Sequence, residues 1–124
     1  MAIRGIRGAT VVSKDDPLEV ISQTRQLLEA IQKANSDLHP QDIASIFFSV
    51  TEDITSAFPA KAARELGWLK VPLMCFREIP VPASLPLCIR VLVHWNTEHD
   101  QQDIHPVYMG KAKSLRPDFE ANEL

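Results

Sequence analysis

The segment Cys88–Trp95 constrains the fold of this 124-residue chain more than any other segment does. Its sequence, CIRVLVHW, places an apolar residue at every second position from Ile89 onward. Because successive side chains of a β-strand point to opposite faces, this alternation predicts a strand with one buried face. Arg90 lies on the other face, in the middle of an otherwise apolar segment. The chain therefore needs a sheet, and it needs other elements that cover one side of that sheet.

Apolar and β-branched residues predict further strands along the chain. The run Ile46–Val50 is apolar but short, which favours a buried strand over a helix. The predicted strands are residues 2–12, 43–51, 71–76, 88–95 and 107–113. We expect residues 1–116 to form a single domain and residues 117–124 to be a mobile C-terminal tail.

Two segments carry the signals of helices. Asp16 can cap a helix and Pro17 suits its first position, so a helix should begin there and run to about Ala34. Residues 58–67 have a proline near their start and end on Gly67, as a second helix would. Two helices on one side of a mixed β-sheet give an α+β fold.

The composition limits the possible functions. Hydrophobic residues make up 45% of the chain and charged residues 23%, as is typical of soluble globular proteins. The net charge of −3 provides no polybasic surface, so we expect neither nucleic acid nor a membrane as a partner. The two cysteines, Cys75 and Cys88, belong to no metal-binding motif, and the first residues do not resemble a secretory signal. We therefore expect a cytoplasmic protein with reduced thiols and no bound metal.

Several cations lie in short apolar segments of this negatively charged chain. Arg90 belongs either to an internal salt bridge or to an anion-binding pocket, because a buried guanidinium needs a partner. Lys61 and Arg64 share one face near the start of the second helix and form either a solvated surface or an anion site. Together with Arg7 and Arg116, they fit a small polycarboxylate better than a phosphate, because the chain has no glycine-rich phosphate-binding loop.

Three further residues are candidates for a site, and each also has a structural explanation. Glu78 follows a predicted strand and is either a surface glutamate or an acceptor for a ligand hydroxyl. Cys75 is most often a small buried side chain, and Tyr108 a core aromatic residue with a satisfied hydroxyl. No Ser-His-Asp or Cys-His arrangement is evident, so the sequence does not indicate nucleophilic catalysis.

Five segments, taken together, resemble the monofunctional, bacillus-type chorismate mutases. They occur in the order and at the spacing of that family, and they span nearly the whole chain. The segments are Ile3–Thr10, Phe58–Leu66, Val71–Cys75, Cys88–Val91, and the stretch from Val107 to Asp118. Any one of these motifs is weak, but five in register are a specific signal.

The resemblance implies an enzyme that rearranges chorismate to prephenate, in the branch of aromatic amino acid biosynthesis that leads to phenylalanine and tyrosine. It also implies a homotrimer of α+β subunits, whose sheets together form a pseudo-α/β-barrel and whose active sites lie between neighbouring subunits. The reaction is unimolecular and needs no proton transfer, so no cofactor is expected.

The resemblance also assigns roles to individual residues. Arg90 and Glu78 are implied to be catalytic: Arg90 faces the ether oxygen that gains charge, and Glu78 holds the ring hydroxyl. The residues implied to bind the substrate are Arg7, Phe58, Ala60, Lys61, Arg64, Leu73, Met74, Cys75, Tyr108, Leu115 and Arg116. Met74 departs from the family, which tends to have a small hydroxylated residue there, so we expect only a backbone contact from it. We further expect Arg90 to come from one subunit and Glu78 from its neighbour.

Two other functions stay open at the level of sequence. The small trimeric imine deaminases share this length, the clefts between subunits and a carboxylate-binding arginine, although their usual motifs are not evident. A non-catalytic sensor of an aromatic-pathway acid is the other alternative. Turnover of chorismate, turnover of an imino acid, and binding without turnover distinguish the three.

Overall fold

The computed structural model describes residues 1–117, and over this range the chain forms a five-stranded mixed sheet with two α-helices. The elements are β1 (Ala2–Val11), α1 (Pro17–Ala34), β2 (Ile43–Val50), α2 (Ala60–Glu65), β3 (Leu73–Arg77), β4 (Cys88–Thr97) and β5 (Val107–Tyr108). Short 3₁₀ helices lie at Pro40–Asp42, Gln101–Asp103 and Gly110–Leu115. The predicted α+β architecture is confirmed. The predicted tail lies outside the described residues, apart from Pro117.

The strand order of the sheet is β3-β2-β4-β1-β5. β4 is central and pairs antiparallel with both β1 and β2, whereas β3 is parallel to β2 and β5 is parallel to β1. Within β4, Ile89, Val93 and their neighbours on the same face are buried, and Arg90 on the other face is exposed. The alternation of this strand therefore predicted its two faces correctly.

The long helix α1 covers the buried face of the sheet. The Asp16 side chain accepts a hydrogen bond from the Glu19 N–H at 3.1 Å, and Pro17 is the first helical residue, so both predicted start signals are present. The helix passes very close to β1: a Cβ atom on Gly8 would lie 2.8 Å from the Ile31 side chain. The absence of a side chain at Gly8 therefore lets the helix pack directly on the sheet.

The short helix α2 packs on the same side as α1. Its residues Ala62 and Ala63 belong to the core cluster that also contains Leu27 of α1 and Phe48 of β2. The opposite face of the sheet therefore has no α-helical cover within residues 1–117. No helix in that range is long and apolar enough to cross a membrane.

The end of the described chain differs from the prediction. Residues 107–113 were expected to be a strand, but only Val107–Tyr108 pairs with β1, and the 3₁₀ helix Gly110–Leu115 follows. Gly110 has a φ of +58°, a backbone conformation that turns the chain out of the strand direction. Ala112 then packs, fully buried, against Ala9. The prediction was wrong here because the apolar run Val107–Met109 indicates a strand but does not show where that strand ends.

Candidate active site

A cleft of about 270 Å³ opens on the face of the sheet that the helices leave uncovered. The register of the strands places one residue from each strand in a line across this face. From β5 to β3 that line is Tyr108, Ala9, Arg90, Ser49 and Phe76. All of these except Ala9 line the cleft, together with Arg7 from the neighbouring position on β1. The sheet thus brings together three of the predicted site residues, Arg7, Arg90 and Tyr108.

Arg90 and Glu78 form an ion pair at the centre of this face. The Nε atom of Arg90 lies 3.7 Å from Oε2 of Glu78, and the Ser49 hydroxyl donates a hydrogen bond to the same carboxylate oxygen. The Glu78 N–H donates to the Val50 carbonyl at 2.8 Å, which fixes the backbone next to β2. The charges that sequence reasoning selected as catalytic therefore meet in the structure.

This pairing corrects one expectation. Arg90 and Glu78 were predicted to come from neighbouring subunits, but they contact each other within one chain. The reason is the strand order: Glu78 follows β3, which pairs with β2, and Ser49 of β2 lies directly opposite Arg90 of β4. Side chains on three adjacent strands are within reach of one another, whereas the sequence alone did not reveal that β3 lies two strands from β4.

The sequence left Arg90 either in an internal salt bridge or in an anion-binding pocket, and the exposure of its side chain helps to distinguish the two. Its side chain is 45% exposed and that of Glu78 is 25% exposed, so the pair is open to solvent in a single chain. Exposed pairs of this kind contribute little to folding stability. The arginine is therefore not buried in the core, and its charge is available to a ligand in the cleft.

The side chains of the edge strand β3 alternate between the two faces of the sheet, and its backbone groups alternate between β2 and the open edge. Leu73 and Cys75 pack against the core on the helical side, and Met74 points to the exposed face. The thiol of Cys75 therefore lies on the opposite side of the sheet from Arg90 of the same chain. The N–H of Glu78 points toward β2, so the backbone groups of Cys75 point away from β2, along the open edge.

The predicted site residues from the second helix do not reach this cleft within one chain. Phe58 is 71% exposed, Lys61 and Arg64 are exposed, and Ala60 is buried in the helical core. An exposed ion pair at 4.0 Å joins Arg25 of α1 to Glu65 at the end of α2, on the helical side. Cations from α2 and cations from the sheet are thus on different sides of the same subunit.

Leu115 is the last residue of the 3₁₀ helix Gly110–Leu115, and Arg116 follows it. Leu115 is half-buried against the cluster that includes Ala9, Ala112 and Tyr108. Arg116 is also half-buried. Leu115 therefore packs in the same cluster as Tyr108, which lines the cleft.

Sequence reasoning missed several residues that line the cleft, among them Phe47, Ser49 and Phe76. Alternation within β2 could have placed Phe47 and Ser49 on the face opposite to the buried Phe48. Their position beside Arg90, however, depends on the pairing of β2 with β4, which the pattern of a single strand does not determine.

The described residues offer few other reactive groups. Burial raises the pKa of the Cys88 thiol, which lies on the same face of β4 as Arg90 and is buried in a cluster with Ala9 and Ala112, so this cysteine is a poor nucleophile. Within residues 1–117, no three His, Cys, Asp or Glu side chains are grouped so that they could hold a metal ion. The polar and aromatic side chains that line the cleft are cations, hydroxyls and aromatic rings, and the Glu78 carboxylate lies beside them, paired with Arg90; such groups suit binding and electrostatic stabilisation.

Comparisons with known proteins agree with this geometry. The family model described as chorismate mutase type I matches residues 3–119. The chain is 49% identical to chorismate mutase AroH of Thermus thermophilus, over 96% of this chain and 98% of that protein, and 45% identical to chorismate mutase AroH of Bacillus subtilis, over 96% and 94%. A solved structure of a chorismate mutase from Clostridium thermocellum superposes with a TM-score of 0.86 at 48% identity, covering 89% of this chain and 97% of that one. The chain therefore belongs to the chorismate mutase type I family.

Proposed function

We propose that this chain catalyses the rearrangement of chorismate to prephenate, in a homotrimer whose active sites lie between neighbouring subunits. The observation that carries the proposal is the pairing of Glu78 with Arg90, which lines an open cleft in a chain that belongs to this family. The chemistry, the composition of the site and the assembly each contribute an argument.

The reaction is a unimolecular rearrangement in which a C–O bond breaks and a C–C bond forms. Negative charge builds on the ether oxygen as the C–O bond breaks. A fixed cation that faces this oxygen stabilises the transition state more than the substrate, which is the condition for a faster chemical step. Arg90 supplies that cation, because it lies in the central strand of the sheet and lines the cleft.

The remaining groups hold the flexible substrate with its reacting carbons close together. Arg7 and Tyr108 line the cleft on the β1 and β5 side of Arg90 and are placed to contact the carboxylates. Glu78, on the other side, accepts a hydrogen bond from the ring hydroxyl and balances partial positive charge on the ring. Holding reacting atoms in contact can lower the barrier by several kcal/mol, roughly 7–11 in the best cases.

Two observations support a site that a second subunit completes. The cleft of about 270 Å³ is near the lower limit of the roughly 300–1,000 Å³ that is usual for ligand sites, and it is open on the exposed face. That face also carries the exposed side chains of Phe47, Met74 and Phe76, an apolar surface of the kind that another protein surface covers. The α2 helix of a neighbour would close the cleft.

The proposed assembly divides the site between two chains. One subunit supplies Arg7, Glu78, Arg90 and Tyr108, with Leu115 and Arg116 at the border. Its neighbour supplies Phe58, Ala60, Lys61 and Arg64, together with Leu73, Met74 and the Cys75 backbone along the open edge of β3. Such an interface is heterologous, and three copies close it into a ring. The sheets of the three subunits then enclose the pseudo-barrel.

The decisive experiment adds chorismate to the purified protein and follows the fall in its ultraviolet absorbance, with prephenate identified by chromatography. We expect turnover that depends on enzyme concentration and a nearly flat rate profile around neutral pH, because no group exchanges a proton in the reaction. Binding of chorismate without turnover would contradict the proposal and favour a sensor. Turnover of an imino acid instead would favour a deaminase.

A further inference from the structure

The carboxylate of Glu78 contacts Ser49, a residue that neither the sequence nor the family resemblance singled out. Its hydroxyl donates a hydrogen bond to Oε2 of Glu78, the carboxylate oxygen that faces Arg90. We propose that Ser49 is a positioning residue, which holds the Glu78 carboxylate back from full pairing with Arg90 and so keeps both charges available to the substrate. This inference rests on the proposed function and deepens it.

The geometry makes Ser49 well placed for this role. Ser49 of β2 and Arg90 of β4 are directly opposite each other in the antiparallel ladder, so their side chains rise from the same face. Glu78 approaches both from the end of β3. Its backbone is fixed by the hydrogen bond to the Val50 carbonyl, but the residues that follow it, from Ile79 to Pro82, are exposed. Side-chain contacts must therefore orient the carboxylate.

One carboxylate oxygen of Glu78 is shared between Arg90 and Ser49. The Arg90 Nε atom lies 3.7 Å from Oε2, beyond the roughly 2.7–2.9 Å of a charge-assisted hydrogen bond. The ion pair is thus present without a direct N–H contact, while Ser49 donates to that same oxygen. Among the residues that the structure describes, both contacts fall on Oε2, which leaves Oε1 to accept the ring hydroxyl of the substrate.

Removal of the Ser49 hydroxyl should change this balance. Arginine and carboxylate groups favour bidentate pairing, with two parallel hydrogen bonds. Without the competing serine, Glu78 can rotate onto Arg90 and form such a pair. The guanidinium would then be partly neutralised when charge builds on the ether oxygen, and the carboxylate would no longer face the ring hydroxyl.

The test compares Ser49→Ala with Ser49→Thr and with the matched control Ser45→Ala. Ser45 is on the same strand, and its hydroxyl contacts the His94 ring at 3.0 Å. We expect Ser49→Ala to lower kcat/KM for chorismate by about 10- to 100-fold, the usual effect of losing a hydrogen bond to a charged group. The loss should be mainly in kcat. Ser49→Thr, which keeps the hydroxyl, should retain most of the activity, and Ser45→Ala should match the wild type.

A double-mutant cycle separates positioning from a structural role. If Ser49 acts through Glu78, Ser49→Ala should have almost no further effect on kcat/KM in a Glu78→Ala background. An equal loss in both backgrounds would overturn the inference. So would near-normal activity of Ser49→Ala. The circular dichroism spectrum and the mass of the assembly verify that each variant is folded, and Ser49→Cys replaces Ser49→Ala if the alanine variant does not fold.

The same experiment distinguishes this inference from the proposed function. If the wild type and Ser45→Ala do not convert chorismate, the proposed function and the inference fail together. If both are active and Ser49→Ala is equally active, only the role of Ser49 is refuted.

Discussion

At the scale of single residues, the charged side chains on the exposed face of the sheet matter most for the proposed function. Arg7 and Arg90 lie on adjacent strands and on the same face of the sheet. Arg90 is paired with Ala9, which is two residues along β1 from Arg7. Glu78 is the carboxylate that stands next to Arg90, and its acceptor oxygen is shared with Ser49. The proposed chemistry of the cleft therefore depends on how a few charges are oriented.

Arg90→Ala should abolish most activity and leave the fold intact. Losing one donor that faces developing charge typically lowers kcat by about 10²- to 10³-fold, or about 3–4 kcal/mol. Arg90→Lys should restore part of the activity, because lysine keeps the charge but lacks the planar guanidinium. The measurement is kcat and KM with chorismate, alongside thermal unfolding.

The control for this prediction is Arg4→Ala. Arg4 lies on β1 like Arg7, but its Nε donates to the His99 carbonyl at 3.0 Å. It should therefore keep wild-type kcat. Near-normal turnover by a folded Arg90→Ala protein would refute the central role of Arg90.

The sequence identified some site residues and not others, for physical reasons. Arg90 was conspicuous because a charge in an apolar strand is expensive unless it has a partner or a function. Ser49 was not, because a serine on the polar face of a strand is ordinary. The assignment of Glu78 to a neighbouring subunit was wrong because it required the order of β3, β2 and β4 in the sheet, which depends on long-range pairing.

At the scale of elements, local sequence signals such as helix caps and apolar alternation predicted the regular helices and strands. They did not predict the irregular segments. Asp16 and Pro17 predicted the start of α1 because a cap and a proline act through local backbone geometry. The 3₁₀ helix Gly110–Leu115 was missed because its burial depends on contacts with β1 and β4 that are distant in sequence. The loop between β3 and β4 contains a further irregularity.

Ala83, in that loop, has a φ of +66°, which is a left-handed conformation that L-residues rarely adopt. We expect Ala83→Gly to stabilise the protein by about 0.5–1 kcal/mol. Relief of roughly 1–2 kcal/mol of strain is partly offset by the roughly 0.4–1 kcal/mol that glycine adds to the entropy of the unfolded chain. Urea unfolding measures the difference.

The matched control is Ala30→Gly, in the middle of α1, where the backbone is helical. It should destabilise the protein by about 1 kcal/mol. A loss of stability in Ala83→Gly similar to that in Ala30→Gly would contradict the assignment of strain to Ala83.

Asp15 joins two loops and gives the protein a dependence on acid pH. Its carboxylate accepts hydrogen bonds from the N–H of Ser56 and from the N–H and hydroxyl of Thr55, in the segment that leads to Phe58 and α2. These hydrogen bonds, first from Ser56 and then from Thr55, lower the pKa of Asp15 from 3.8 to about 2. A lowered pKa in the folded state stabilises the protein above the unfolded pKa, and this contribution is lost as the pH falls from about 4 to 2.

Asp15→Asn should therefore be less stable than the wild type at pH 7, and the difference should shrink as the pH falls below 4. Thermal unfolding at several pH values measures it. Asp103→Asn removes one charge from another surface turn and should show no such convergence with the wild type. A stability difference for Asp15→Asn that stays constant between pH 7 and pH 3 would refute the role of the carboxylate.

At the scale of the whole molecule, the subunit separates its two groups of site residues. The sheet carries Arg7, Arg90 and Tyr108 on its exposed face, and α2 carries Lys61 and Arg64 on the helical side. A single chain therefore does not bring both groups to one ligand, and in the proposed assembly a neighbouring subunit supplies the second group. This division was not visible in the sequence, because it depends on which face of the sheet each helix covers.

Subunit mixing tests the division directly, with Arg90→Ala and Arg64→Ala as the pair of variants. Each protein should be nearly inactive alone. If a site takes Arg90 from one chain and Arg64 from its neighbour, unfolding the two together and refolding them at equal amounts should restore about one site in four, the product of two independent halves.

The control pair is Arg90→Ala with Glu78→Ala. These residues contact each other within one chain, so every site in a mixed assembly still lacks one of them, and no activity should return. Recovery in both mixtures would show that each site takes Glu78 and Arg90 from different chains. No recovery in the first mixture, in assemblies shown by mass to contain both variants, would refute the shared site while leaving the role of Arg90 in the reaction to its own test.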